Sequence, residues 1–486
     1  MARRLLPRDP ATVAAALLTV VAAVGMASAS VYRHERFGSN AYDLGIFDQA
    51  VWAYSRLEWM PNTVLRLPHV MGDHLHPILV VLAPLYWVWD DVRVLLVVQA
   101  MLLASAGVPL FLWAREQLGG LAAVAFLAAY LVFWAVIGGS LFDFHELAFA
   151  APIVSGAIYA ALTRRTALLW VFVVLGLLTR EDVALTFVGL ALFIGVVQRR
   201  WRDAAALAAV AAAWFVFAFK VAIPALAGGT AYAHWAYSQL GENPGSALLH
   251  LVTHPVDSVR TFFTPRDKQI ALGNLFLPWL AMPLVSPLVL VMLPTLAARF
   301  FSDKPSHWAP QGFHYSLMLA PIIAFAAVDT TRRVRDLVGD RWERVVPLVL
   351  AGLTLAAGLY FTFARIKPLD ELRRYTPPER VADIETCLRV VAPDASVSAT
   401  SALVPHLSHR RSIFVLDARP VPRTRYLALD ASTWIFPLTH GDLARIVDRA
   451  LVQGYGIRCS RGSTVVLEQG APRGALSPEL DRLFGP

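Results

Sequence analysis

What constrains this chain most is its punctuation: long apolar stretches, nearly empty of charge, alternate with short clusters of arginine. A bilayer core about 30 Å thick takes roughly 20 apolar residues to cross as a helix. Inside lipid every backbone N–H and C=O must pair within its own segment, so runs of this length point to a helix bundle. The arginines fall at Arg3, Arg4 and Arg8, at Arg164 and Arg165, at Arg199, Arg200 and Arg202, and at Arg332, Arg333 and Arg335. Such clusters in short loops mark the cytoplasmic side. The net charge of +8 therefore reports topology. Nucleic-acid binding is not expected, because no basic stripe interleaves with aromatics. With 57% hydrophobic and 16% charged residues, the chain is also more apolar than a soluble domain, where about a quarter of residues are charged.

Threading the runs through those clusters predicts an α-helical polytopic membrane protein of about eleven spans, N-terminus cytoplasmic and C-terminus outside. Ala11 to Val31 is the first span, read as a retained anchor although Ala27-Ser28-Ala29 resembles a signal-peptidase site. An outer loop covers 32–76. Pro77 to Trp89 is too short to cross and is expected at the outer interface. Spans follow at Val92–Ala114, Gly120–Gly138, Leu147–Leu162, Ala167–Thr179, Val183–Val197 and Ala204–Leu226, then a second outer loop at 227–270. Ala271 to Phe301 contains four prolines, and charge bookkeeping makes it a hairpin turning near Ser286-Pro287. Leu317–Val328 and Val345–Ala364 complete a membrane domain of residues 1–365, and the expected location is the plasma membrane.

The composition changes over 366–486. Thr376-Pro377-Pro378-Glu379 predicts a capping box opening a helix. Ala395–Thr400, Ser412–Asp417, Tyr426–Asp430 and Thr464–Glu468 read as strands, and Asp442–Gln453 as a second helix. This is a small extracytoplasmic α/β domain. It contains both cysteines, Cys387 and Cys459, on the side where oxidation is permitted. They form a disulfide, or else two separate buried thiols.

Ionisable groups near a bilayer are costly and default to a functional hypothesis. Here they gather on the outer side. Asp43 and Asp48 lie in Tyr42-Asp43-Leu44-Gly45-Ile46-Phe47-Asp48-Gln49, where Asp43 could equally be a helix-capping carboxylate. His74 and His76 precede Pro77. Asp143, His145 and Glu146 crowd a short turn, and Arg180 and Glu181 another, where an internal salt bridge is the bland account. Lys220 sits near the outer end of an apolar run and could simply snorkel to headgroups. His314 and Tyr315 precede the penultimate span.

These segments, with Val397-Ser398-Ala399-Thr400 and Pro405-His406-Leu407-Ser408-His409-Arg410, resemble an uncharacterised family of bacterial and archaeal membrane proteins grouped with the GT-C membrane glycosyltransferases. The resemblance implies a polyprenyl-phosphate sugar donor and a catalytic acid in the first outer loop, for which Asp43 is the best match. His76-Pro77 stands where related enzymes carry a basic or polar residue before proline. The paired acid of those enzymes is absent, since Leu44 follows Asp43, which leaves Asp48 as a possible helper.

The expected function is sugar transfer from the lipid-linked donor to an extracytoplasmic acceptor. Asp43 would be the base, and His74, His76, Lys220 or Arg180 would neutralise the leaving phosphate. Asp143, His145 and Glu181 would orient substrate or hold a divalent metal. The expected partners are membrane lipid and the lipid-linked sugar. A transporter or flippase, or a non-catalytic scaffold, is the alternative. The first would line a path from face to face with polar groups, and the second would tolerate loss of the membrane acids.

Overall fold

The computed structural model describes residues 9–484 except 231, 312, 374 and 375. The Arg3, Arg4 and Arg8 cluster lies outside the described residues. In chain order the helices are α1 (Pro10–Glu35), α2 (Ile46–Ser55), α3 (Arg93–Leu118), α4 (Gly120–Leu141), α5 (Leu147–Leu162), α6 (Thr166–Leu177), α7 (Val183–Val196) and α8 (Trp201–Leu226). They continue as α9 (Pro244–Thr253), α10 (Pro255–Phe263), α11 (Arg266–Phe276), α12 (Val289–Phe300), α13 (Leu319–Val338) and α14 (Val345–Leu359). Among the described residues five helical stretches are long and apolar enough to cross a membrane: α1, α3, α4, α8 and the stretch beginning with α14. Pro77–Tyr86, α5, α6, α7 and α12 are shorter apolar helices.

The bundle is arranged around α13, whose residues Leu319 to Thr331 are all buried. In lipid, helices associate through close packing rather than through exclusion of water. Gly189 on α7 illustrates this: a Cβ there would strike the carbonyl of Val291 on α12.

The segment 271–301 turns back on itself. α11 starts beside Trp308, over whose ring Lys268 sits. At the far end the Met282 carbonyl accepts from Thr330, and Ser286 donates to Asp329 at 2.8 Å. α12 then returns to Arg299, whose Nη1 donates to Ser316. The expected hairpin is present, with its turn beside Asp329, Arg332 and Arg333. The loop expected at 227–270 is largely helical. Pro244 and Pro255 occupy first-turn positions, and Asn243 and Ser246 form a capping box.

After the bundle come α15 (Pro378–Leu388), β1 (Val397–Ala399), β2 (Ile413–Val415), β3 (Tyr426–Asp430), α16 (His440–Val452), β4 (Tyr455–Arg461), β5 (Thr464–Gln469) and α17 (Pro478–Phe484). The sheet order is β2-β1-β3-β5-β4, parallel among β2, β1 and β3 and antiparallel from β3 to β5 and β4. β4 was not among the expected strands, because Gly456, Arg458 and Ser460 dilute its β signal. The capping box expected at Thr376 is not formed. Pro377 takes the N-cap position without a side-chain bond, while Thr439 and Asp442 make one at α16. Cys387 on α15 and Cys459 on β4 are disulfide-bonded, with Cα atoms 5.3 Å apart.

This domain clamps the segments on either side of α2. Ser401 Oγ accepts from the Ala41 N–H at 3.2 Å, and Tyr42 Oη donates to Asp417 at 3.0 Å. Thr63 Oγ1 donates to the Ile413 carbonyl at 2.6 Å. At Gly45 a Cβ would press on Val404 Cγ1 at 2.9 Å, so the close approach needs glycine.

Candidate active site

The backbone from Asn40 to Gly45 enters α2 through an irregular turn in which Asp43 has φ 86° and ψ −92°. Asp143 on the turn between α4 and α5 has the same φ of 86°. A left-handed conformation costs a non-glycine residue about 1–3 kcal/mol and persists only where its surroundings enforce it. For Asp43 the clamp of the C-terminal domain supplies that enforcement. Its carboxylate caps neither the turn nor α2, which removes the capping account of this residue.

Asp43 Oδ1 lies 3.4 Å from His145 Nε2. The His145 ring stacks on His314 with centroids 3.4 Å apart. His145 Nδ1 and Glu146 Oε2 are 2.8 Å apart but out of line for a hydrogen bond. Arg180 Nη1 donates to Glu146 Oε1 at 3.1 Å, and the same guanidinium holds Asp182. Tyr315 packs on the His314 ring. The turn carrying this group is held by Gln99 of α3. Its Nε2 donates to the Asp143 carbonyl at 2.6 Å, and its Oε1 accepts from the His145 N–H at 2.8 Å. The Asp143 carboxylate pairs with Arg33 and accepts from the Asn40 N–H at 3.0 Å.

A second cluster adjoins the first through Glu181. His74 Nδ1 is 2.6 Å from Glu181 Oε1, the Leu75 N–H donates to Oε2, and Tyr232 Oη donates to Oε1 at 3.0 Å. His234 stacks on His74 and bonds Asp73 at 2.7 Å. His76 is buried against Phe47, its Nδ1 without a partner.

Charge is tuned accordingly. Burial pushes the Asp43 carboxyl up to about 7; His145 opposes the shift, and the carboxylates of Asp143, Glu146 and Asp73 reinforce it. Burial keeps His314 well below the usual imidazole range, helped by His145 and Arg180. For His74 burial disfavours the cation, yet the Glu181 carboxylate overrides it and raises the pKa to about 9.

Asp43, Asp143, His145, Glu146, Arg180, His314 and Tyr315 are thus brought together, with His74, His76 and Glu181 beside them. Asp48 is not. α2 directs its carboxylate into a buried junction where it accepts from Tyr86 and Ser408 and pairs with His409 at 3.1 Å. It ties α2 to the C-terminal domain and has no free oxygen to assist Asp43. Lys220 is exposed on the side of α8 over Phe219, in the position of a snorkelling residue. The metal grouping expected from Asp143, His145 and Glu181 does not form, since Arg33 and Asn40 hold Asp143 while His74, Leu75 and Tyr232 hold Glu181. Instead Asp43, His145 and His314 can each turn a ligand atom within 4.8 Å of the others, as can Asp73, His74 and His234. Gln99, Arg33, Tyr232 and His234 were missed. A lone glutamine in the apolar run of α3 and a Tyr-x-His in the segment 227–270 were the signals.

The family described as "Predicted membrane protein (DUF2079)" matches residues 33–434. Among curated proteins no sequence matches. The fold is similar to that of ArnT from Cupriavidus metallidurans bound to undecaprenyl phosphate, with a TM-score of 0.58, 14% identity, and coverage of 95% of this chain and 99% of that one. Its apo state gives 0.59 at 13% identity, covering 96% and 100%. The oligosaccharyltransferase of Archaeoglobus fulgidus, at 13% identity, covers 82% of this chain and 63% of that one with a TM-score of 0.43, too low to argue from. These neighbours are GT-C glycosyltransferases.

Proposed function

The chain belongs to the DUF2079 family of membrane proteins, and from its site we propose that it is a GT-C glycosyltransferase moving a sugar from a polyprenyl-phosphate donor to an acceptor outside the cytoplasm. The observation that carries this is Asp43: a carboxyl in a left-handed turn, set against two histidines, with a pKa near 7. A general base works best when its pKa is close to the working pH.

In the proposed step an acceptor hydroxyl oxygen attacks the anomeric carbon and its proton passes to Asp43. The bond from that carbon to the phosphate oxygen breaks, and its electron pair leaves with the lipid phosphate. His74, cationic up to about pH 9, and Arg180 supply the nearby positive charge for that anion. The ArnT structure with undecaprenyl phosphate supports a lipid carrier of this class. Asp43, His145 and His314 also fit a divalent metal, having one carboxylate and two imidazoles whose ligand atoms lie within 4.8 Å of one another. Such an ion would supply further positive charge to the leaving phosphate.

The test is transfer of labelled sugar from undecaprenyl-phosphate sugars in membranes carrying the chain. Incorporation is expected with wild type and with Lys220→Gln, and is lost with Asp43→Asn at normal protein levels. Undiminished transfer by Asp43→Asn would remove Asp43 as the base. Sidedness is tested separately by a reporter active only in the cytoplasm, fused after Pro486, which should stay silent.

A further inference from the structure

Among the parallel strands of the C-terminal sheet, β1 stands in the middle. The chain runs from it first to β2 on one side and then to β3 on the other. In an open α/β sheet, the crevice outside the carboxyl ends of the strands at such a switch point is where ligands bind. Here the chain itself occupies that crevice. The occupant is the segment 40–45, which carries Asp43. Two residues past the end of β1, Ser401 Oγ accepts from the Ala41 N–H at 3.2 Å. Two residues past the end of β2, Asp417 accepts from Tyr42 Oη at 3.0 Å. Beyond β3, Ser432 and Thr433 share a cavity wall with Asn40.

The grip falls on both sides of Asp43 and leaves its carboxylate to the bundle. Before it, Ala41 is fully buried, so its N–H has no water to turn to if the Ser401 hydroxyl is lost. The partner of Tyr42 is itself anchored: Asp417 is buried, accepts from the Arg419 N–H at 2.8 Å and lies 3.6 Å from Arg66. After Asp43, Gly45 has φ −64° and ψ −37°, a helical conformation open to any residue. A Cβ there would nevertheless meet Cγ1 of the buried Val404 at 2.9 Å. The surface of the domain, not the backbone, demands glycine at this position. Val404 belongs to Ser401–His406, the turn that follows β1. The bundle, for its part, supplies the group that the carboxylate faces, with His145 Nε2 3.4 Å from Asp43 Oδ1.

We propose that Ser401, Val404 and the Tyr42–Asp417 pair are positioning residues for Asp43, so that the C-terminal domain uses its ligand crevice as a template for the base. The proposal deepens the glycosyltransferase reading and rests on it. The left-handed turn at Asp43 persists only where its surroundings enforce it. A displacement of about 1 Å in a reacting group can cost about 10²-fold in rate. The domain therefore acts on the chemical step, through placement of the base, and leaves donor affinity to the bundle.

The test uses the full chain in phosphatidylcholine nanodiscs. Transfer from an undecaprenyl-phosphate sugar gives kcat and KM. Hydrogen exchange across 36–46, read by mass spectrometry, reports on the turn without needing activity. Ser401→Ala with Tyr42→Phe should speed exchange in the turn and leave α2 as protected as before. It should lower kcat about 10- to 100-fold while the donor KM holds, the pattern of an interaction that counts only in the transition state. Gly45→Ala should lower kcat in the same way. Gly45→Ala with Val404→Ala should recover most of that loss, because the second change removes the atom that the new Cβ strikes. If the Ser401→Ala, Tyr42→Phe chain also loosens β3, the domain itself has opened. Gly45→Ala and its suppressor, which keep Ser401 and Tyr42, then decide. A turn that stays protected in these variants would overturn the proposal. So would faster exchange with unchanged kcat, or no recovery with Val404→Ala. A wild-type chain that transfers no sugar, but whose turn loosens in the variants, would end the glycosyltransferase reading and leave the domain's grip on the turn standing.

Discussion

The two ends of the helix bundle hold charge in opposite ways. At the end bearing Asp43, Glu146 and Glu181 are buried, Arg180 is 7% exposed, and each has a partner on a separate element. At the opposite end Arg332 and Arg333 are 28% and 43% exposed, and their acidic partners Asp329 and Asp336 lie on the same helix, three or four residues away. Taking a charge out of water costs several kcal/mol, which a partner offsets only with good geometry. The opposite end also buries one carboxylate, Asp329, but holds it with two arginines of its own helix and the Ser286 hydroxyl; a chain that buries Glu146, Glu181 and Arg180 together at the site end has a use for that set. Under the proposed topology the arginine end needs only enough positive charge to stay in the cytoplasm. Substitutions at the two ends should therefore differ in both kind and size.

The largest effect is expected at Asp43. General-base catalysis contributes about 10²–10⁴-fold, and Asp43→Asn should lose transfer by that order without unfolding. Because the working form is the carboxylate and its pKa is about 7, kcat/KM of wild type should rise with pH to a plateau above 7. Below it the rate should fall about tenfold per unit as the base is protonated. A wild-type profile that stays flat from about pH 5 to 8 would detach Asp43 from the rate.

Arg180→Met comes next. It leaves Glu146 buried beside His145 and strips Asp182 of its guanidinium. Removing one partner of a buried set costs about 3–5 kcal/mol, read as a lower midpoint in denaturant for purified protein. A loss below about 1 kcal/mol would mean that the site end is no more committed to its charges than a surface pair.

Gln99→Leu should cost less, about 1–3 kcal/mol for the buried groups it leaves unpaired. Its second consequence separates positioning from packing. Without Gln99 the His145 N–H and the Asp143 carbonyl lose their shared anchor, so kcat should drop more than stability alone explains. Gln99→Leu with unchanged kcat would limit the residue to holding the helices together.

The difference between the ends also explains what could be read from the chain. At the arginine end the turns were legible because their rule is local: charge clusters beside apolar runs mark where the chain reverses without any tertiary contact. The hairpin at 271–301 followed from that rule despite four prolines. At the site end the turns and most of their acids and histidines could be named, because ionisable residues stand out against apolar neighbours. Their pairing could not, since it depends on how α3, α5 and α7 bring separate turns together. Asp48 shows the limit. It lies five residues from Asp43, yet it belongs to a junction with Ser408 and His409, about 360 residues along the chain. Gln99 was invisible for the converse reason, being uncharged and set within a membrane run. In the C-terminal domain β3 was plain, with five buried residues in a row. β4 was hidden by residues that a half-exposed edge strand tolerates.

The smallest effect is expected at Arg332, and it tests the comparison from the other side. Arg332 bonds Asp329 at 2.9 Å and Asp336 at 3.2 Å, so its contact list is as long as that of Arg180. Counting bonds alone, Arg332→Met should be equally harmful. Exposure argues otherwise. Asp336 is 46% exposed and returns to water when its partner goes. Asp329 is buried, but it keeps Arg333 at 2.7 Å and the Ser286 hydroxyl at 2.8 Å. No charge is stranded, and helix pairs at this spacing contribute about 0.3–0.5 kcal/mol each. Arg332→Met should therefore shift stability by less than about 1 kcal/mol and leave sugar transfer unchanged. Measured beside Arg180→Met under the same conditions, a cost of similar size would show that partner number rather than burial governs both ends, and the contrast between them would fail.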